Sequence, residues 1–197
     1  MIVYSIFIIF CSLQTLICDK AGVTQQSLQD AFKTSLPFIK SFHPAPFILN
    51  GSKLLLPHLS YTELNSNNVE FRFDEYGLLH VKFVNLKGRI SGLTFIKPKK
   101  LFKFFSNFTA ELSNMSWEET YAVESTKKAE GKYDVKFKSI SDSSISYNIF
   151  RVIMSNGSKE DQNNVKLEIK KLNFAPFKAH LKKASGLILE ALQDKLK

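Results

Sequence analysis

The sequence predicts an α+β protein in which a helix, a long antiparallel meander of strands and a second helix follow one another. Three observations carry this prediction. From Val69 to Phe83, apolar residues alternate with polar ones, which puts one set of side chains on a buried face and the other in water. Near the C-terminus, Phe177, Leu181, Ala184, Ile188, Ala191 and Leu192 recur at helical spacing along one stripe. No internal repeat or low-complexity linker divides the chain, so residues 19–197 read as one domain.

The first helix is expected over Lys20 to Phe42, with Leu28, Phe32, Leu36 and Ile39 on one side and Gln26, Asp30 and Lys33 on the other. Thr24 is positioned to cap it. Its +3 residue is Ser27 rather than an acid, which leaves a capping box incomplete. Pro37 kinks or limits the helix, and His43-Pro44-Ala45-Pro46 breaks the chain. Strands are expected at Phe47–Leu56 and Leu59–Leu64, on either side of Pro57-His58.

Val69–Phe73 and Leu79–Phe83 then flank Asp74-Glu75-Tyr76-Gly77, a polar link ending in Gly, as a hairpin requires. Leu86–Phe95 reads as a third neighbouring strand, bulged or bent at Gly88 and Gly92. The alternation resumes at Phe108, Ala110 and Leu112 and breaks at Asn114 and Ser116, where the strand is expected to bend or bulge before Trp117; Tyr121 and Val123 start another run. Further strands are expected at Tyr133–Phe137, at Ile145–Met154, and at Val165, Leu167 and Ile169, which alternate with Lys166, Glu168 and Lys170. The final helix starts near Pro176, a residue suited to a first turn.

Residues 1–18 carry no charge and form an apolar run, which predicts a secretory signal cleaved between about Cys18 and Ala21. The run lacks a basic n-region, and a retained signal anchor is the competing reading. Both cysteines, Cys11 and Cys18, fall within it, so a cleaved chain is exported without a disulfide and without thiol chemistry. Such a domain depends on core burial for its stability.

The formal charge of +9 lies wholly outside the leader. It suits anionic partners such as lipid headgroups, phosphorylated glycolipids or nucleic acid, or simply a soluble basic surface. Export argues against nucleic acid. Four N-glycosylation sequons start at Asn50, Asn107, Asn114 and Asn156, each a short motif that chance also produces.

Catalytic signatures are missing. The sequence has no G-x-S-x-G elbow, H-E-x-x-H pair, Gly-rich phosphate loop or Asp-rich calcium loop, and its acidic residues are not paired at catalytic spacing. His43, His58, His80 and His180 lie far apart, where structural or solvated roles outweigh metal ligation or base catalysis. No enzyme, cofactor or metal is expected.

Two features remain. The chain has 18 Phe, several at inward strand positions, which fits either an ordinary β-core or a groove lined with flat apolar side chains. An amphipathic helix lying along a curved sheet can leave a long slot suited to acyl chains. The second feature is the loop Lys97-Pro98-Lys99-Lys100-Leu101-Phe102-Lys103-Phe104-Phe105. Its lysines could meet phosphates while its aromatics enter a membrane interface; alternatively, it is a solvated tip whose apolar residues begin the next strand.

The stretch LPHLSYTELNSNNVEFRF, followed by GLLHVKFVNLKGRISGLTFIKPKKLFKFFSNFTAELSNMSW, resembles the N-terminal barrel of the bactericidal/permeability-increasing and lipopolysaccharide-binding proteins. Ile90-Ser91-Gly92, the basic loop, the Phe-bearing strand and Met115-Ser116 follow that barrel's order, and the two terminal helices occupy the places of its helices. The resemblance implies a tubular lipid-binding module, a strongly curved antiparallel sheet wrapped around a long helix. It further implies an apolar slot, expected to be lined by Phe32, Phe71, Phe73, Val81, Phe83, Phe108, Phe137, Leu181 and Ile188. The basic tip would correspond to Lys97, Lys99, Lys100 and Lys103, with Arg89 on the preceding strand. The family's barrel carries a disulfide, for which this mature chain has no cysteine pair.

The leading expectation is therefore a secreted protein holding the acyl chains of an anionic lipid or glycolipid. The alternatives are a lipopolysaccharide-binding antimicrobial or pattern-recognition protein, and a secreted interaction glycoprotein with a closed core and no ligand.

Overall fold

Two unusually long strands set the architecture: β3 (Leu79–Ile96) and β4 (Phe104–Lys127). At about 3.3 Å per residue they trace roughly 60 and 80 Å of backbone. The computed structural model describes residues 23–41, 54–62, 64–96, 104–128, 132–172 and 174–196. The other described elements are α1 (Gln25–Ser41), β1 (Leu54–Thr62), β2 (Val69–Phe73), β5 (Tyr133–Asp142), β6 (Ser146–Met154), α2 (Lys159–Lys170) and α3 (Ala175–Leu196). The leader with Cys11 and Cys18, the chain break at Pro44, the Asn50 sequon and the tip lysines Lys97, Lys99, Lys100 and Lys103 lie outside the described residues.

Each long strand carries two short partners placed end to end, and every pairing is antiparallel. One half of the sheet runs β1-β3-β4-β6, with Leu54 opposite Thr94 and Phe108 opposite Met154. The other runs β2-β3-β4-β5, with Phe73 opposite Leu79 and Tyr121 opposite Ser139. The halves meet where Leu86 pairs with Met115. Beside that pair, Asn85 and Asn114 both adopt left-handed backbone, with φ of 53° and 51°. Asparagine tolerates this conformation better than most residues.

The effect on the side chains is a change of parity. Buried positions on β3 pass from Val81 and Phe83 to Leu86 and Ile90, and those on β4 from Ala110 and Leu112 to Met115 and Trp117. Matched bulges therefore keep one face apolar while both strands bend. The buried side chain of Asn68 braces the bend, its Nδ2 donating to the Val84 carbonyl at 3.0 Å.

The sheet curves around α1 and α3, which pack together over its apolar face. The Ser35 hydroxyl of α1 lies 2.9 Å from the Leu187 carbonyl oxygen of α3. Gln193 of α3 donates to the Val135 carbonyl of β5 at 2.8 Å. The fold is α+β, a curved antiparallel sheet wrapped around helix, as the sequence predicts.

Four local expectations are corrected. Leu79–Phe83 and Leu86–Phe95 belong to one strand, because the break between them is a bulge at Asn85 and not a turn. The run at Tyr121 is not separate from that at Phe108: they form one strand, with the bulge at Asn114 that the sequence predicts. Val165, Leu167 and Ile169 are helical. Ser158 and Asp161 form a full capping box, Val165 and Ile169 are buried one helical turn apart, and Leu167 is 55% exposed, so the period is four and not two. At α1, Ser27 completes the capping box without an acid. Its N–H donates to Thr24 Oγ1 at 3.0 Å, and the Thr24 N–H donates back to Ser27 Oγ at 2.8 Å.

Candidate functional site

The interior between the sheet and the helix pair is one continuous apolar layer. Phe32 from α1, Phe71 from β2, Val81 and Phe83 from β3, Phe108 from β4, and Leu181 and Ile188 from α3 are all buried in it. Phe73 and Phe137 are partly buried and pack against it. The nine residues expected to line a slot are thus gathered on one interior, although they come from six different elements.

The two halves of that interior differ in chemistry. In the β1-β3-β4-β6 half, the inward residues are Gly88, Ile90 and Gly92 on β3 opposite Leu112, Ala110 and Phe108 on β4. Here the glycines make room for their neighbours. A Cβ at Gly88 would lie 2.5 Å from Met115 Sδ, and one at Gly92 would lie 2.9 Å from the Leu55 carbonyl oxygen and 3.2 Å from the Phe108 ring. This half carries aliphatic and aromatic groups.

In the β2-β3-β4-β5 half, a polar cluster lies under α3, reaching the surface at Ser139 and Lys182. Glu119 is fully buried. Its Oε2 accepts from the Tyr121 hydroxyl at 2.7 Å and from Ser185 at 3.1 Å, while Oε1 accepts from Ser139 at 2.6 Å and lies 3.3 Å from Lys182 Nζ. Burial, above all, pushes the Tyr121 hydroxyl well above the usual phenol range; the Ser185 hydrogen bond offsets this in part and Glu119 adds to it. The cluster therefore fastens α3 to β4 and β5 with hydroxyl groups that stay protonated.

Between the halves stands Trp117, 1% exposed, its ring stacked on Phe83 at 5.8 Å. Among the described residues its indole Nε1–H has no hydrogen-bond partner. Trp117, Glu119 and Tyr121 share one face of β4, so a carboxylate in an apolar register was the readable signal for this site. Catalytic spacing does not single it out, because the adjacent acid, Glu118, lies on the opposite face of the strand.

The outer face holds a second constellation that sequence spacing hides. His80 Nδ1 lies 2.6 Å from Glu118 Oε1 and Nε2 lies 3.1 Å from Asp74 Oδ2. Thr120 Oγ1 is 3.3 Å from the same Nδ1. Both ring nitrogens are thus engaged by carboxylates, and the ring acts as a clamp between β3, β4 and the hairpin instead of as a base poised beside a nucleophile. Partial burial raises the Asp74 carboxyl, but hydrogen bonds from His80 and from the Leu78 and Tyr76 N–H groups outweigh it and hold it below its ordinary range.

Arg89 is exposed in mid-strand, seven positions before the end of β3, and pairs with Glu111 at 3.6 Å. Arg151 meets the same carboxylate at 2.6 Å. Asn107 and Asn114 are exposed on β4, and Asn156 is exposed in the turn before α2. Among the described residues no helix is long and apolar enough to cross a membrane, and no group of three or more His, Cys, Asp or Glu could hold a metal ion.

These features define an α+β protein with a curved antiparallel sheet closed by helices over an elongate apolar interior. Among solved structures, the chain is similar to that of Takeout 1 from Epiphyas postvittana, at 17% identity over 90% of this chain and 92% of that one, with a TM-score of 0.43. No family model matches the sequence, and no curated protein matches it.

Proposed function

We propose that this protein is a secreted, non-enzymatic carrier or sensor that takes the hydrocarbon chain of a lipid into the layer between its sheet and helices. One observation carries the reading: the apolar interior is elongate, extending along β3 from Leu79 to Ile90 and along β4 from Phe108 to Tyr121, and is lined with aromatic and aliphatic groups from the sheet and the helices. A hydrocarbon chain is the ligand such an interior suits. Each buried methylene contributes about 0.8 kcal/mol, so even a tail of roughly 12 carbons supports useful affinity. The order of elements, which resembles a bactericidal/permeability-increasing type of barrel, supports the same reading, and the uncharged leader supports export.

The tip supports a preference for anionic surfaces. Phe95 and Phe105 pair across the two long strands with ring centroids 4.3 Å apart, and both are substantially exposed. They flank the segment bearing Lys97, Lys99, Lys100 and Lys103. Exposed aromatics beside lysines suit a phospholipid or lipopolysaccharide headgroup region, through an attraction that salt screens over about 10 Å at 0.1 M. The exposed sequons at Asn107, Asn114 and Asn156 fit a glycoprotein.

A second reading has its own support. The interior side chains are mutually buried, as in a core that carries no ligand and serves a surface interaction instead. Titration of delipidated protein with pyrene-labelled phosphatidylcholine separates the two, because Trp117 is the one tryptophan of the chain and can transfer its excitation to pyrene. The carrier reading expects saturable uptake near one lipid per chain, with energy transfer from Trp117 and displacement by unlabelled lipid. No saturable uptake and no displacement by any lipid class would overturn it.

A further inference from the structure

Trp117 offers a hydrogen-bond donor that none of the described residues takes up. A buried indole N–H ordinarily finds an acceptor, and burial without one is costly. Here the ring is 1% exposed, stacked on Phe83, and none of the described residues accepts from it. Its place in the register gives this meaning. On the same strand face, Leu112 and Met115 precede it in the apolar half, while Glu119 and Tyr121 follow it in the polar half. The Tyr121, Ser139 and Ser185 hydroxyls are already directed at Glu119. Among the described residues, the indole N–H is therefore an available donor at the point where the apolar lining ends.

We propose that Trp117 Nε1–H holds the carbonyl oxygen of a neutral apolar ligand, an ester or ketone whose hydrocarbon part lies along Phe108, Ala110, Leu112 and Ile90. This rests on the reading of the interior as a binding layer and specifies its ligand class. A free carboxylate is disfavoured, because it would bring a second acid group beside the buried Glu119 in a low-dielectric interior. The donor also stands apart from the tip. Phe83, the cross-strand partner of Trp117, is thirteen positions from the end of β3, roughly 40 Å of strand. The oxygen bound at Trp117 thus belongs to a group enclosed in the protein and not to a headgroup held at the lysine loop.

Because the chain has one tryptophan, ¹⁵N-labelled protein gives a single indole cross-peak. The test titrates delipidated full-length protein with methyl palmitate and, separately, with hexadecane, following that peak and the affinity. The expected result is a downfield shift of the indole proton with the ester alone, and an ester affinity about tenfold above that of the hydrocarbon. Trp117→Phe should bring the two affinities to within about twofold while hexadecane still binds. Binding of both ligands with equal affinity and no indole shift would overturn the donor role and leave the binding layer standing. If neither ligand binds, the binding layer itself is refuted and the donor role falls with it. The wild-type arms decide the matter even if the variant does not fold.

Discussion

Glu119 provides the sharpest test of how α3 is held to the sheet. Its two oxygens serve different elements. Oε2 faces Tyr121 of β4 and Ser185 of α3, and Oε1 faces Ser139 of β5 and Lys182 of α3. In Glu119→Gln the remaining oxygen can stay with Ser139 and Lys182 while the amide nitrogen donates to Tyr121 and Ser185. The Ser185 hydroxyl then turns to the Lys182 carbonyl, already 3.0 Å away. That rearrangement loses charge-assisted bonds without stranding a group, a cost of about 2 kcal/mol. Glu119→Ala removes the acceptor that these four groups share and opens a void, a cost of about 4 kcal/mol, although Tyr121 and Ser185 keep their 2.8 Å hydrogen bond to each other. For a chain of this size each kcal/mol lowers Tm by about 2–4 °C. The two variants should therefore melt roughly 4–8 and 8–16 °C below the parent. Urea unfolding measures both costs, and hydrogen exchange should show protection lost first over Leu181–Leu192 of α3. If Glu119→Ala costs less than about 1 kcal/mol, or if a double-mutant cycle with Ser139→Ala shows no coupling, the cluster does not anchor the helix.

Three further outcomes follow from the geometry. Gly92→Ala should destabilise the protein by about 1–3 kcal/mol, because the new Cβ meets the Leu55 backbone; Gly88→Ala should cost less, since the flexible end of Met115 can move aside, and equal costs by urea titration would contradict this. Asp74 and Glu111 are both held below their ordinary values of 3.8 and 4.5, Glu111 first by its hydrogen bond from Arg151 against a smaller opposing effect of burial. Their deprotonated forms thus stabilise the fold above those values, and the contribution is lost as pH falls through the depressed ones. The stability gap between the parent and Asp74→Asn or Glu111→Gln should shrink below about pH 4, whereas a gap constant from pH 7 to 3 would refute the assignment. Replacing Lys97, Lys99, Lys100 and Lys103 together with Gln should weaken binding to anionic vesicles at low salt and spare uptake of a neutral lipid; an equal loss of both would refute the separate role of the tip.

Much of the architecture could be read from periodicity. The α3 stripe of Phe177, Leu181, Ala184, Ile188, Ala191 and Leu192 and the alternation at Val69–Phe73 both report which way side chains face, and the structure buries the residues they single out, save the partly buried Ala191 and Phe73. What periodicity does not report is whether a break in pattern is a turn or a bulge. Asn85 and Asn114 shift parity within continuous strands because their left-handed backbone absorbs the extra residue, and no Gly or Pro marks either site. Val165, Leu167 and Ile169 satisfied both periods, and the deciding feature was the cap at Ser158, three residues before Asp161. The His80 clamp joins residues on two strands and a loop, with Asp74 and Glu118 far apart in sequence. Only the sheet register brings them together.

The central claim is that the layer between sheet and helices carries a lipid, and analysis of what the native protein already holds tests it most directly. Solvent extraction and mass spectrometry of protein purified without detergent should yield a long-chain lipid in near-equimolar amount. An extract with no more lipid than that of an unrelated protein carried through the same purification would contradict the account.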